Sequence, residues 1–238
     1  MQQIGITERG DASLDLQWTK WVLSDNPAIL ITKSPLELYR RLGMLAEEHG
    51  VGSLNVLTHC TVTGWGGTAL EPRVPSPEIA LLGYGNLIAL LGRERVTLRI
   101  DPIIATEDSL RRAREVLRRA HETYPPGTRV RISFLDMYPH VRERFLQAGI
   151  PIPHESFHAP IATRLLYWEE LGKPEVCGEP GMECTGCISP LDCEVLGVIP
   201  EGGQSQQRRA CACLAQKREL LSRKGRCGFL CPYCYWKD

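Results

Sequence analysis

The sequence predicts an α/β fold: a partial or complete parallel β/α barrel of the TIM type, followed by a cysteine-rich metal-binding tail. Two patterns predict it. Apolar runs of strand length alternate with helix-length segments, and repeated strand–helix alternation implies a parallel sheet with right-handed crossovers. The second pattern is the distribution of cysteine. Only Cys60 lies in the first 176 residues, whereas the other nine fall between Cys177 and Cys234. The organisation read from this is a barrel body over residues 1–176 and a tail over 177–238 packed on it.

The elements follow in order. Ala28–Thr32, Leu54–Thr58, Val96–Ile100 and Val130–Phe134 have strand length and β-branched enrichment. Ser34-Pro35-Leu36-Glu37 offers an N-cap, a proline at the first helical position and a capping-box glutamate, opening a helix that runs to about His49-Gly50. Start signals recur at Ser76-Pro77-Glu78 and around Thr106-Glu107-Asp108, and Gly149 is placed to stop a helix beginning after Pro139. Active sites of β/α barrels gather at the C-terminal ends of the strands, which makes Thr32, Lys33, His59, Cys60, Arg99, Asp101 and Asp136 candidates on one rim.

Length and composition fit one enzyme-sized domain. The chain has 238 residues, 43% of them hydrophobic, enough for a sizeable core. No apolar run approaches the roughly 18 residues of a membrane span, so no membrane partner is expected. The formal net charge of zero gives no global attraction to polyanions. The opening Met-Gln-Gln-Ile lacks a charged and then apolar leader, so a cytoplasmic location with reduced thiols is expected, and the cysteines read as metal ligands rather than disulfides.

The most specific feature is Cys227-Gly-Phe-Leu-Cys231-Pro-Tyr-Cys234. Three thiolates on one tight loop can each hold one iron of a cubane 4Fe-4S cluster and leave the fourth iron open for chemistry. The competing assignment is structural zinc, but zinc sites normally pair C-x2-C knuckles, and this spacing supplies an awkward third ligand. Cys177, Cys184, Cys187, Cys193, Cys211 and Cys213 add six more thiols. A pair as tight as Cys211-Ala-Cys213 is poorly placed to close on itself, which favours a second metal site, either an auxiliary cluster or a four-thiolate zinc site.

The C-x3-C-x2-C spacing, with Tyr233 just before the last cysteine, resembles that of radical S-adenosylmethionine enzymes. Ile29–Ser34, Leu70–Ser76 and Leu98–Ile104 resemble successive strand-end segments of the spore photoproduct lyase-like branch, as do Thr7-Glu-Arg-Gly-Asp11, Thr63-Gly-Trp-Gly66 and Ile132–Tyr138. In that branch these segments follow the cluster loop. Here they precede it, so the chain resembles a circularly permuted member with its cluster loop at the C-terminus. The Gly-Gly-Glu segment found in many members is absent, and Thr32-Lys33-Ser34 stands at the equivalent strand end.

The resemblance implies a cluster on Cys227, Cys231 and Cys234 that binds and reductively cleaves S-adenosylmethionine, so that hydrogen is abstracted from an organic substrate. It also picks Cys177, Cys187, Cys211 and Cys213 as ligands of an auxiliary 4Fe-4S cluster, with Cys184 and Cys193 as replacements. Lys33 would offer a cation to the S-adenosylmethionine carboxylate, Ser34 a hydrogen bond besides its N-cap duty, and Glu71 a contact to the ribose or amino group, its alternative being to fix a loop. Arg99, costly inside a strand unless paired, would meet that cosubstrate or the Asp101 carboxylate. His59 and Cys60 are the catalytic candidates, Cys60 as a hydrogen-atom donor whose alternative is a small core residue. Trp65 would stack on adenine or substrate.

Arginines 111, 112, 114, 118 and 119, interspersed with glutamate, read as a solvated helix face. Arg208, Arg209, Lys217, Arg218, Arg223, Lys224 and Arg226 surround the cluster loop, and Tyr233, Tyr235 and Trp236 could stack on bases. A small-molecule or nucleobase substrate is therefore expected, DNA among the options, together with an external electron donor of flavodoxin or ferredoxin type. A non-catalytic, metal-stabilised nucleic-acid-binding module is the alternative.

Overall fold

The structure, a computed structural model, describes residues 3–124, 127–200, 211–214, 216–222 and 225–237. Seven strands form one all-parallel sheet: β1 (Ile4–Ile6), β2 (Ala28–Thr32), β3 (Val56–Thr61), β4 (Val96–Ile103), β5 (Arg129–Phe134), β6 (Glu175–Val176) and β7 (Lys217–Glu219). Their order is β6-β5-β4-β3-β2-β1-β7, and the curled sheet makes a half-barrel. The partial form of the expected barrel is the one observed. The residues of 177–238 complete this sheet by adding β7, which pairs in parallel with β1 (Ile4 opposite Lys217).

The helices are α1 (Thr19–Val22), α2 (Pro35–His49), α3 (Pro77–Leu91), α4 (Glu107–Thr123), α5 (Pro139–Gln147), α6 (Ile161–Glu170) and α7 (Pro190–Leu196). Each of α2, α3, α5 and α7 begins on a proline, whose fixed φ and missing N–H suit a first turn. Gly149, at φ +65°, follows the end of α5 in the left-handed conformation that a side chain disfavours. One local expectation changes. Ser34 precedes α2 but its side chain makes no cap hydrogen bond; the Thr32 hydroxyl instead accepts the Ser34 N–H at 2.9 Å.

Alternate side chains of each strand face opposite layers. Ala28, Leu30, Val56, Cys60, Val96, Leu98, Ile100 and Ile132 pack outward against Leu38, Leu42, Tyr84, Leu87, Val116 and Leu117 of the helices. On the concave side Ile4, Ile6, Ile29 and Leu57 form a floor with Ile188, Cys193, Leu196 and Val198 from α7 and its flanks. A third cluster lies at the strand C-terminal ends, where Leu70, Val74, Ile104, Leu135 and Phe145 meet Phe229, Cys231 and Tyr233. Among the described residues no helix is long and apolar enough to cross a membrane.

Candidate active site

Between floor and upper cluster lies a cavity of ≈ 230 Å³. Its lining includes Cys227, Cys231 and Cys234 from the loop after β7, and Cys177, Cys187 and Cys211 from the other thiol group. Lys33, Thr61, Arg99, Asp101 and Ser133 complete the wall from the strand ends, and Phe229, Leu230, Tyr233, Tyr235 and Trp236 give it an apolar cover. The cover is braced by arginines: Arg144, outside the cavity lining, donates to the carbonyls of Cys234 (2.7 Å) and Trp236 (2.8 Å), and Arg226, within the lining, to that of Leu230 (3.4 Å). Burial pushes the Cys231 thiol up to about 12 and also raises those of Cys227 and Cys234.

Lys33 reaches the cavity from the end of β2. Its Nζ pairs with Glu71 Oε1 at 2.9 Å, donates to the Asp101 carbonyl at 3.3 Å and lies 5.2 Å from the centre of the Tyr233 ring. Burial opposes its charge, but Glu71 and then Cys231 beside it hold its pKa above the ordinary lysine value. Glu71 itself is 1% exposed, sits behind Lys33 outside the cavity lining, and also accepts the Tyr233 hydroxyl. Of the two expectations for Glu71, its bonds are those of the loop-fixing one: it holds Lys33 and Tyr233 of the cysteine loop. Asp11, also buried, accepts the Lys33 backbone N–H at 2.6 Å and the hydroxyls of Ser13 and Thr32 at 2.6 and 2.8 Å. That carboxylate faces the cavity; its only signal in the sequence is the segment Thr7-Glu-Arg-Gly-Asp11, which does not single it out.

The second thiol group gathers the four cysteines picked by the resemblance. Cys177 and Cys187 have their Sγ atoms 3.1 Å apart, Cys211 and Cys213 theirs 3.2 Å apart, and the Cys187 N–H donates to Cys213 Sγ at 3.2 Å. Gly186 makes this possible: a Cβ there would stand 2.7 Å from the Cys213 backbone nitrogen. Cys184 instead bonds the backbone of Glu179 and Met182, and Cys193 is fully buried in the floor. The Cys213 side chain lowers the Cys211 thiol to about 7.

Three buried cations surround the quartet. Arg99 pairs with Asp101, which also accepts the Ser133 hydroxyl. Lys217 pairs with Glu8 at 2.6 Å. Arg131, fully buried, bonds Glu175, Asp192 and the Cys187 carbonyl, and approaches His59 Nε2 at 3.2 Å.

Other expected site residues lie elsewhere. Cys60 points outward into the helix-packed core with no exposure, and its thiol is pushed up to about 12 by burial, so it is not aimed at a substrate. His59 points inward but below the cavity, where burial and then Arg131 and Arg99 hold its imidazole well below the usual histidine range. Ser34 does not line the cavity. Trp65 is stacked on by Arg112, whose Cζ is 4.2 Å from the ring centre, and that face is not offered to a cofactor. The remaining α4 arginines form surface ion pairs, Arg111 with Asp108, Arg114 with Glu170, Arg118 with Glu115 and Glu122, and Arg119 with Glu115 and Glu78. Of the basic group near the cluster loop, Lys217 turns inward and Arg218 stacks on Trp21 at 4.8 Å; Arg208, Arg209, Arg223 and Lys224 lie outside the described residues.

Among the described residues no three His, Cys, Asp or Glu side chains converge as ligands of a single metal ion. That arrangement is not what a cubane needs, because its thiolates bind separate irons and stand apart. Six cysteines lining one cavity in a parallel β/α half-barrel, with Cys213 against two of them, define a candidate thiolate-ligated metal site at the strand ends. Over residues 24–236 the chain matches the family described as a domain of unknown function, DUF1848, and it belongs to that family. No curated protein and no solved structure matches it.

Proposed function

We propose that this chain is a circularly permuted radical S-adenosylmethionine enzyme of the spore photoproduct lyase-like branch, abstracting hydrogen from a small organic or nucleobase substrate. One observation carries the reading: a single cavity is walled on one side by Cys227, Cys231 and Cys234 and on the other by the second thiol group. The donor set fits iron–sulfur ligation, with the first three as ligands of a cluster with an open iron and Cys177, Cys187, Cys211 and Cys213 as ligands of an auxiliary one. When bound, the first cluster supplies the coordination site and the electron for reductive cleavage of S-adenosylmethionine. The permutation reading is supported by the topology: the loop follows β7, a sheet strand beside β1, so the chain order differs while the loop still covers the strand ends.

The chain's own residues hold and shield. Lys33 places a cation beside the cluster loop, where the carboxylate of S-adenosylmethionine can share it with Glu71. Asp11 and Tyr233 fix that lysine from its backbone and its flank. Arg99 stands at the opposite thiol group, so its anion is the auxiliary centre or a substrate carboxylate or phosphate rather than the cosubstrate. Phe229, Leu230 and Trp236 keep bulk water from the reacting carbon. The inward turn of Lys217 removes one cation from any DNA-binding face, which favours a substrate small enough to enter the cavity. A cytoplasmic setting and an external one-electron donor complete the proposal.

Anaerobic reconstitution with iron and sulfide tests it. The protein should turn brown and form 5′-deoxyadenosine from S-adenosylmethionine under dithionite, and Cys231→Ala should abolish this. Colourless protein holding stoichiometric zinc would instead favour a structural metal module.

A further inference from the structure

The outer face of the cluster loop has a composition that the cavity does not explain. Gly228, next to Cys227, is exposed and presents bare backbone. Beside it stands Leu14, 44% exposed, 3.4 Å from where a methyl on Gly228 would lie, and Leu16, two residues on, is 39% exposed. Cations ring this apolar centre. Exposed Arg73 donates to the Gly228 carbonyl at 3.5 Å, exposed Arg9 lies 5.5 Å from the Trp236 ring centre, and Lys237 is exposed at the far end of the loop. Among the described residues Arg9, Arg73 and Lys237 form no ion pair, whereas the arginines of α4 are cancelled by neighbouring carboxylates.

An apolar centre with a charged rim is the anatomy of a transient protein interface. A protein of zero formal net charge that leaves positive charge uncancelled at one loop will steer a negatively charged partner to that loop. The location selects the partner's chemistry. Gly228 adjoins a thiol that lines the cavity, and its missing side chain lets another surface approach that thiol more closely than elsewhere on the loop.

We propose that this face, centred on Gly228 and rimmed by Arg9, Arg73 and Lys237, docks an acidic one-electron carrier protein with its prosthetic group near its surface. The carrier is oxidised by one electron per encounter, and that electron enters the metal site behind Cys227. The assignment rests on the radical S-adenosylmethionine reading and adds the donor's place of contact and the residues that hold it there.

The test uses the reconstituted protein and a reduced flavodoxin as probe, with dithionite as a small reductant that needs no docking. Arg9→Glu with Arg73→Glu should weaken flavodoxin binding, measured by biolayer interferometry, by at least about tenfold at low salt, with the difference shrinking as salt screens the rim. Visible absorbance and dithionite-driven cleavage should match wild type. Lys237→Glu, a single exposed change, should act in the same direction if the double variant folds poorly, and Arg9→Lys with Arg73→Lys should bind as wild type does. Unchanged flavodoxin affinity in both charge-reversal variants would overturn the docking assignment while leaving the enzymatic reading intact. Absence of cleavage in wild type under dithionite would instead overturn the enzymatic reading, a result visible before any variant is made.

Discussion

Replacing Arg131 by Met tests whether the buried ion network beneath the cavity holds the fold and the second thiol group together. The methionine keeps apolar bulk but removes bonds to Glu175 Oε2 (2.9 Å from Nε), Asp192 Oδ2 (3.1 Å), the Cys187 carbonyl (3.1 Å) and His59 Nε2 (3.2 Å). Arg129 alone then serves both carboxylates, 2.6 Å from Asp192 and 3.3 Å from Glu175. Removing one partner from a buried network costs about 3–5 kcal/mol, and the share kept by Arg129 favours the lower end. At about 2–4 °C per kcal/mol for a chain of this size, about 3 kcal/mol lowers the melting temperature of the metal-free protein by about 6–12 °C. Differential scanning calorimetry measures it. The double change Arg131→Met, Asp192→Asn should recover part of the loss, because the uncompensated charge goes too. A drop below about 2 °C, or a double variant less stable than the sum of the single effects, would refute the reasoning.

His59 gives a pH dependence of defined sign. Its folded pKa lies well below the unfolded value near 6.5, so the unfolded chain takes up the proton first; stability is full above pH 6.5 and falls as pH drops below it. The slope approaches about 1.4 kcal/mol per pH unit, and His59→Gln should flatten the denaturation midpoint between pH 6.5 and 5 relative to wild type. Lys33→Ala should weaken S-adenosylmethionine binding while leaving cluster absorbance unchanged, and it should destabilise the chain by orphaning Glu71; adding Glu71→Gln should restore the melting temperature but not the affinity. Changing Cys227, Cys231 and Cys234 together to Ala should still leave about four irons per chain on the other quartet. Near-zero iron in a folded variant would mean a single cluster, and zinc would identify a structural site.

The four long strands and the helices α2 to α5 were legible because each combines an apolar period with a start or stop residue. Short β1, β6 and β7, of three, two and three residues, carry too little sequence for a period to emerge and exist because neighbouring strands pair with them. Helix α7 was missed although Ser189 and Asp192 form a capping box around Pro190, the same punctuation that revealed α2. Half of the candidate site is legible. Spacing singles out the cysteines that line the cavity and the strand-end rule singles out Lys33 and Arg99 on its wall, but nearness to a strand end does not tell which face a residue takes, and Cys60 and His59 lie off the cavity wall. A better signal was present in Arg129, Arg131 and Ser133, which alternate with Val130, Ile132 and Phe134. Strands of a parallel sheet are usually apolar on both faces, so a polar residue at every second position marks a concave side that faces a site.

The pairing of β1 with β7 couples the assembly of the cavity to the most distant contact in the sheet. Ile4 and Lys217 must find each other across nearly the whole chain, and loop-closure entropy makes such long-range registers slow to form. Until they do, β1 displays an unpaired edge, a template for another chain's strand. The three cysteines that follow β7 are then tethered away from Lys33 and Asp11. Any metal that met the chain at that stage would find loose thiols instead of a walled pocket, so metal binding is expected to follow the locking of the final strand into register.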